Sequence, residues 1–360
     1  MRILGIETSC DETAASVVED GENILSNIVA TSIAMHVKTG GIIPEKAARE
    51  QLKSIIPVIE LALKEAKVKP NALQALAVTL GPGLIGSLLV GIETAKTLSL
   101  IWEKSIIPVN HLVGHIYANF IREFPISPPA PRLRRAGNFQ FPKKDPEFPA
   151  LALVVSGGHT DLVLMKDHGK LKWIGGTRDD AAGEAFDKCA RLLGLPYPGG
   201  PAISAEAANY QPSTIDHQPL TLFPRPMINE DNFDFSFSGL KTAVLREVQF
   251  NPTSLKLRRA ELAAQVQEAI VDVLVEKSLR ATKKFKPKSL LLAGGVAANY
   301  RLREKFELSI INSKLSIDFR VPPPNLCTDN AAYIASCAYF NPSRASWKSL
   351  SVNPELSITG

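Results

Sequence analysis

Residues 150–177 read ALALVVSGGHTDLVLMKDHGKLKWIGGT. An apolar run ends in glycines, a second follows, and a Lys-Asp-His-Gly-Lys turn leads into a third. Short apolar runs bounded by turn residues read as strands joined by hairpins. The same order stands at the start of the chain: RILGIET (2–8), AASVV (14–18), the turn EDGEN (19–23) and ILSNIVA (24–30). Two lobes of related topology are therefore expected, each opening on three strands.

Helical periods alternate with further strands after each triplet. In the first half these are a helix over 45–66 interrupted by Pro57, the buried strand ALAVTL, a helix over 88–102, the strand SIIPVN and a helix opening at His111. The second half carries helical segments near 181–195, 202–210, 238–248 and 255–285. The strand SLLLAGG, the helix AANYRLREKFE and a loop entering a last helix, NLCTDNAAYIASCAYF, follow. The class is α/β. Residues 1–110 with about 330–345 are expected to form an N-terminal lobe and 111–329 a C-terminal one. Residues 123–149 are proline-rich, basic and aperiodic. They read as a surface insertion, either a solvated linker or an RNA-facing arm using Arg132, Arg134, Arg135, Lys143 and Lys144.

Of 360 residues, 45% are hydrophobic and 21% charged, with a formal charge of +5, which permits an anionic partner without demanding one. Four scattered cysteines form no CxxC pair, so neither a disulfide framework nor a zinc knuckle is expected. Without a basic, apolar leader or a long apolar run, the expectation is a cytoplasmic protein.

Three strand-to-loop junctions are glycine-rich: GPGLIGS (81–87), VVSGGHT (154–160) and LLAGGVAAN (291–299). Such loops let a ligand approach the backbone, and helix starts favour phosphate. None is a P-loop or a GxGxxG fingerprint. Two related halves with a glycine loop in each resemble the layout of the actin, hexokinase and Hsp70-type phosphotransferases, which implies a nucleotide cleft between lobes. His111 and His115 stand four apart in NHLVGH, close enough on one helix face to share a metal. Residue 112 is Leu, so this is not HExxH and lacks that motif's general base. Asp329 of CTDN offers a third ligand; its competing role is to cap the last helix.

With these stretches in view, the chain resembles the tRNA N6-adenosine threonylcarbamoyltransferase family, in its bacterial form. The matching motifs are GIETSCDETAAS, GGIIPEKAARE, VTLGPGLIGSLLVG, PVNHLVGHIYA, VVSGGHTDL, DDAAGEAFDKCARLLGLPYPGGPAIS, FSFSGLKTAV, LLAGGVAANYRLR and LCTDNAAYIA. The resemblance implies that His111, His115 and Asp329 bind one divalent metal, iron first, with zinc or magnesium as alternatives. It implies that Val154, Val155, Ser156, Gly157 and Gly158, with Asp187, Gly200 and Asn299, contact a threonylcarbamoyl-adenylate. Asp11 and Glu12 match an acidic pair with a catalytic role. The implied reaction moves the threonylcarbamoyl group from threonylcarbamoyl-AMP to N6 of adenosine 37 in tRNAs reading ANN codons, releasing AMP. The implied partners are tRNA, a smaller paralogue joined through the N-terminal lobe and an ATPase. The chain departs from the family pattern PExASRxH at Ala48 and Gln51, which stand at the Ser and His positions. Alternatives are a kinase or ATPase of the same fold, a metalloprotease and a non-catalytic scaffold.

Overall fold

The computed structural model describes residues 1–37, 40–122, 144–211, 220–250 and 255–360. Arg132, Arg134, Arg135 and Lys143 of the basic segment lie outside them. The chain divides into two units, Met1–Pro146 with Asp167–Leu171 and Pro322–Gly360, and Glu147–Lys166 with Lys172–Val321.

In the first unit, strands Arg2–Glu7 (β1), Glu12–Glu19 (β2) and Asn23–Thr31 (β3) form the expected antiparallel meander. Its second turn uses Asp20 (φ 52°) and Gly21 (φ 71°), the two left-handed residues that a tight hairpin requires. Helices Ile33–Val37 (α1) and Pro44–Ala66 (α2) follow, the latter with Pro57 inside it. Strand Ala75–Gly81 (β4), helix Ile85–Trp102 (α3), strand Ser105–Asn110 (β5) and helix His111–Tyr117 (α4) come next. The sheet order is β3-β2-β1-β4-β5, with β1, β4 and β5 parallel.

The second unit holds strands Ala150–Val155 (β6), Thr160–Asp167 (β7) and Lys170–Gly176 (β8). Helices Ala182–Leu192 (α5), Gly199–Ala207 (α6), Ser238–Phe250 (α7) and Leu255–Phe285 (α8) follow. Strand Ser289–Ala293 (β9), helix Tyr300–Asn312 (α9) and the short strand Asp318–Arg320 (β10) complete the unit. Its sheet order is β10-β9-β6-β7-β8. The first strand pairs antiparallel with the second and parallel with the fourth in both sheets, β1 with β2 and β4, β6 with β7 and β9. The duplication is thus topological, and it confirms the two-lobed α/β class.

Helices Pro324–Cys327 (α10) and Ala332–Phe340 (α11) return to the first unit. Here the division departs from the boundary expected at residue 110. Apolar burial decides it: α4 packs on α11, and α11 on β1, so His111, His115 and Asp329 all belong to one unit. Helix α3 has the length and composition to cross a membrane, yet 44% of it is buried, and it packs on β4 and α2 as a core helix does.

Gly5 makes the α11 packing feasible. A Cβ there would lie 2.3 Å from the Ala331 carbonyl oxygen and 3.0 Å from the Ala335 nitrogen. Both are backbone atoms, so the overlap is relieved only by moving α11. Gly5→Ala is expected to cost about 1–3 kcal/mol or more, the range for overpacked cores, read as a lowered denaturant midpoint.

Candidate functional site

Parallel β1, β4 and β5 end side by side, each with a polar residue at or near its end. Glu7 closes β1, Thr79 lies near the end of β4, and Asn110 closes β5. Asn110 caps α4, its Oδ1 accepting from the Leu112 and Val113 amides at 2.9 and 3.2 Å. That cap fixes the first turn of α4, and His111 and His115 face the same way from it. Their rings meet edge to face with centroids 4.6 Å apart. His111 Nε2 lies 3.7 Å and His115 Nε2 3.3 Å from Asp329 Oδ1.

Asp329 is not the helix cap. The cap position is Ala331, and one residue before it Asn330 Oδ1 accepts from the Ala332 amide at 3.0 Å. The Asp329 carboxylate is left to the histidines. One ligand atom from each of His111, His115 and Asp329 lies within 4.8 Å of the others. Two imidazoles and a carboxylate suit Fe2+ or Zn2+ better than Mg2+, which prefers all-oxygen shells. The residues present fit a divalent metal.

Glu7, Thr79 and Tyr333 surround this trio, and sequence reasoning passed over all three. Tyr333 lies against His115, ring centroids 4.5 Å apart, with its hydroxyl 3.5 Å from both His115 Nε2 and Asp329 Oδ1. Burial works against the His111 charge, but Glu7 and Asp329 outweigh it and hold the imidazolium up to about 9. Burial raises Asp329, and the His111 charge then brings it down to about 2. Burial lowers His115, whose Nδ1 has no hydrogen-bond partner.

The Thr8–Glu12 loop carries the acidic pair. Gln51 of α2 is buried and its Nε2 donates to the carbonyls of Thr8, Cys10 and Glu12 at 3.4, 3.1 and 2.8 Å. Asp11 is 7% exposed. Burial, then the hydrogen bond and charge of Asp11, push Glu12 up to about 9, so its carboxyl is neutral at pH 7.

In the second unit β6 and β9 run parallel, so the SGG and GGVAAN loops leave the same end of the sheet. Ligands of open α/β sheets bind outside this carboxyl end. Val154 and Val155 are fully buried strand residues, so only their backbone is available to a ligand. The Ser156 carbonyl accepts from the Gly183 amide at 3.1 Å, which seats the start of α5 on this loop. Asp187 Oδ1 accepts from the Gly199 amide at 2.6 Å, joining α5 to α6. Asn299 is committed: its Oδ1 caps α9 at the Leu302 amide, and its Nδ2 donates to Ser204 Oγ and Gln267 Oε1.

The glycines divide into two kinds. Gly183, Gly199 and Gly294 are required by packing, since a Cβ at each would fall under 3.0 Å from backbone atoms. At Gly157, Gly158, Gly200 and Gly295 a Cβ would meet nothing within 4 Å, and none of the four has the left-handed φ that favours glycine. The fold does not demand glycine at these positions. Bare backbone held open at the carboxyl end of a sheet is what a close-fitting ligand needs.

The fold defines the class first. The chain resembles component A of (R)-2-hydroxyglutaryl-CoA dehydratase from Acidaminococcus fermentans, with a TM-score of 0.52 and 15% identity over 95% of this chain and 98% of that one. It also resembles the ADPNP-bound activator of 2-hydroxyisocaproyl-CoA dehydratase from Clostridium difficile, with a TM-score of 0.50 and 14% identity over 95% of each chain. Sequence narrows this to a family. The model of tRNA N6-adenosine threonylcarbamoyltransferase matches residues 23–133 and 132–336. The proteins of that name from Thermomicrobium roseum and Dehalococcoides mccartyi are 49% and 48% identical, covering 94% and 100% of this chain and 92% and 100% of their own lengths. The one from Bacillus cereus is 46% identical over 99% of this chain and 96% of its own. The chain belongs to the tRNA N6-adenosine threonylcarbamoyltransferase family and is a transferase that modifies tRNA.

The Glu12 shift has a measurable consequence. The folded state keeps a proton that the unfolded state releases above about 4.5, so stability is full below that pH and is lost as pH rises toward 9. Glu12→Gln is expected to be progressively more stable than the parent from pH 5 to 9. Parallel midpoint-versus-pH curves for the two proteins would remove the assignment.

Proposed function

We propose that this enzyme transfers the threonylcarbamoyl group of threonylcarbamoyl-AMP to N6 of adenosine 37 in tRNAs that read ANN codons, releasing AMP. The observation that carries the reading is the convergence of His111, His115 and Asp329 in a chain of this family. These three residues would hold the divalent ion. When bound, it supplies Lewis-acid polarisation of the threonylcarbamoyl carbonyl.

The chain's own groups account for the rest. The open backbone at Gly157, Gly158, Gly200 and Gly295 admits the adenylate, and the amides of Gly157 and Gly158 donate to its phosphate. Asp187, with Oδ1 held by Gly199, orients toward ribose hydroxyls. Asn299 acts through the α9 start that it caps rather than through a free amide. The adenosine N6 attacks the carbamoyl carbon, a C–N bond forms, and the bond from that carbon to the phosphate oxygen of AMP breaks. Asp11 accepts the N6 proton, and neutral Glu12 beside it donates a hydrogen bond to the Asp11 side chain.

The exposed side of α2 and α3 is the place we assign to the smaller paralogue. Leu52 is 65% exposed and Leu89 42%, and with Ala48, Ile56 and Leu98 they line an apolar groove. A solvent-facing apolar patch of this kind fits protein docking. An ATPase supporting repeated turnover completes the proposed set of partners.

A reconstituted assay with labelled threonine, unmodified tRNA, the paralogue and the ATPase tests the reaction. His111→Ala and Asp11→Asn are expected to reduce incorporation to background. Gly157→Ala is expected to retain the parent's melting midpoint while losing incorporation, because its Cβ meets no protein atom within 4 Å but enters the ligand space. Full incorporation by all three variants would sink the mechanism. Separately, Leu52→Glu is expected to abolish co-elution with the paralogue in gel filtration; an undisturbed complex would move the interface elsewhere.

A further inference from the structure

His111 and His115 differ in what stands behind their rings. His115 Nδ1 is buried without a partner and its ring is held by packing on Tyr333. His111 Nδ1 lies 3.0 Å from Glu7 Oε2, on a carboxylate that is 0% exposed. Thr79 Oγ1 donates to the same oxygen at 2.6 Å, and the Ser9 amide donates to Glu7 Oε1 at 2.5 Å. Ser9 Oγ adds a contact at 3.2 Å to His111 Nδ1. The carboxylate is thus fixed from β4, from the loop after β1 and from α4.

A fully buried carboxylate is expensive to keep unless each oxygen is satisfied. Here the satisfaction has a direction. Both oxygens already accept from fixed donors, so the group facing Nδ1 is an acceptor. Nδ1 therefore carries the hydrogen, and the lone pair of a neutral His111 ring lies on Nε2, the nitrogen facing Asp329. We propose that Glu7 is the positioning residue of the metal centre, fixing the tautomer and orientation of His111 so that Nε2 is the ligand atom. Removing such an outer-shell carboxylate lowers metal affinity about 10–100-fold. A glutamine at position 7 has one acceptor oxygen for three partners, so either Thr79 or Ser9 loses its acceptor, or His111 meets an amide N–H.

The inference rests on reading His111, His115 and Asp329 as the metal ligands. The test is titration of the metal-free full-length protein with Co2+, followed by calorimetry and the visible absorption of the bound ion. Glu7→Gln is compared at a temperature where both proteins are folded by circular dichroism. One equivalent bound by the parent, with affinity 10–100-fold weaker in Glu7→Gln at a similar melting midpoint, supports the proposal. Equal affinities overturn it while leaving the metal site intact. No Co2+ binding by the parent overturns both, and so marks the failure as that of the metal reading. Nitrogen-15 NMR of the metal-free protein above the His111 titration supplies a readout that a purely structural role would not move. The parent is expected to show Nδ1–H for His111, and an Nε2–H ring overturns the inference. Should Glu7→Gln not fold, Thr79→Val removes one anchor of the carboxylate while keeping Glu7. A weaker Co2+ affinity in that variant supports the proposal, and an unchanged one overturns it.

Discussion

The last helix lies against the first strand because residue 5 has no side chain. Where a Cβ would stand at Gly5, the Ala331 carbonyl is 2.3 Å away. That approach brings the segment just before α11 to the carboxyl end of β1, and with it Asp329 to the two histidines of α4. Asp329 stands more than 200 residues from the two histidines, so no local preference brings it to them. Tyr333 and Ala335 follow on α11, fully buried, and carry the contact onward. One missing methyl group in a strand thereby decides whether Asp329 can meet His111 and His115.

The two sheets share one topology and use their carboxyl ends in opposite ways. In the first unit the strand ends carry side chains that meet: Glu7, Thr79 and Asn110, then His111. The ends are filled, buried and polar, which suits a small cation needing fixed donors. In the second unit the corresponding loops carry glycines at 157, 158 and 295 with nothing around their missing side chains. Those ends are bare, which suits a larger group recognised through backbone amides. A duplicated scaffold thus presents two different surfaces through the choice between side chain and no side chain at equivalent strand ends.

Much of this was legible in the sequence, for reasons that differ by element. The hairpin at Asp20-Gly21 was readable because only a few residue types tolerate two left-handed conformations in a row. The α4 start was readable at His111, where an apolar helical period follows the strand SIIPVN, while the Asn110 cap emerged only in the structure. The unit boundary was not, because it depends on α4 burying its face on α11, a contact between segments far apart in the chain. Nor was the side chain that meets the start of α11: Asp329 and Asn330 are both good candidates, and only the fold shows Asn330 taking the Ala332 amide. Glu7 was hidden by its place in an apolar strand, where a single carboxylate reads as the last exposed residue. The roles of Val154 and Asn299 were blurred in the same way, since motif position does not reveal that one side chain is buried and the other engaged.

Gln51 shows how a departure from the family pattern can be absorbed. The Thr8–Glu12 loop turns three carbonyls, those of Thr8, Cys10 and Glu12, toward the same point. A neutral histidine offers one N–H, in one direction. A primary amide offers two hydrogens from one nitrogen, and Gln51 Nε2 sits within 3.4 Å of all three oxygens. Ser87 at the start of α3 reaches the Cys10 carbonyl as well, at 2.9 Å. The loop that bears Asp11 and Glu12 is therefore laced to both helices that line the apolar groove. With Ala rather than Ser at 48, the groove side of α2 also keeps an apolar surface, close beside Gly86 of α3. The two positions lie three residues apart, neighbours on one side of α2. Gln51 holds the acidic loop, and Ala48 lines the groove without an added hydroxyl.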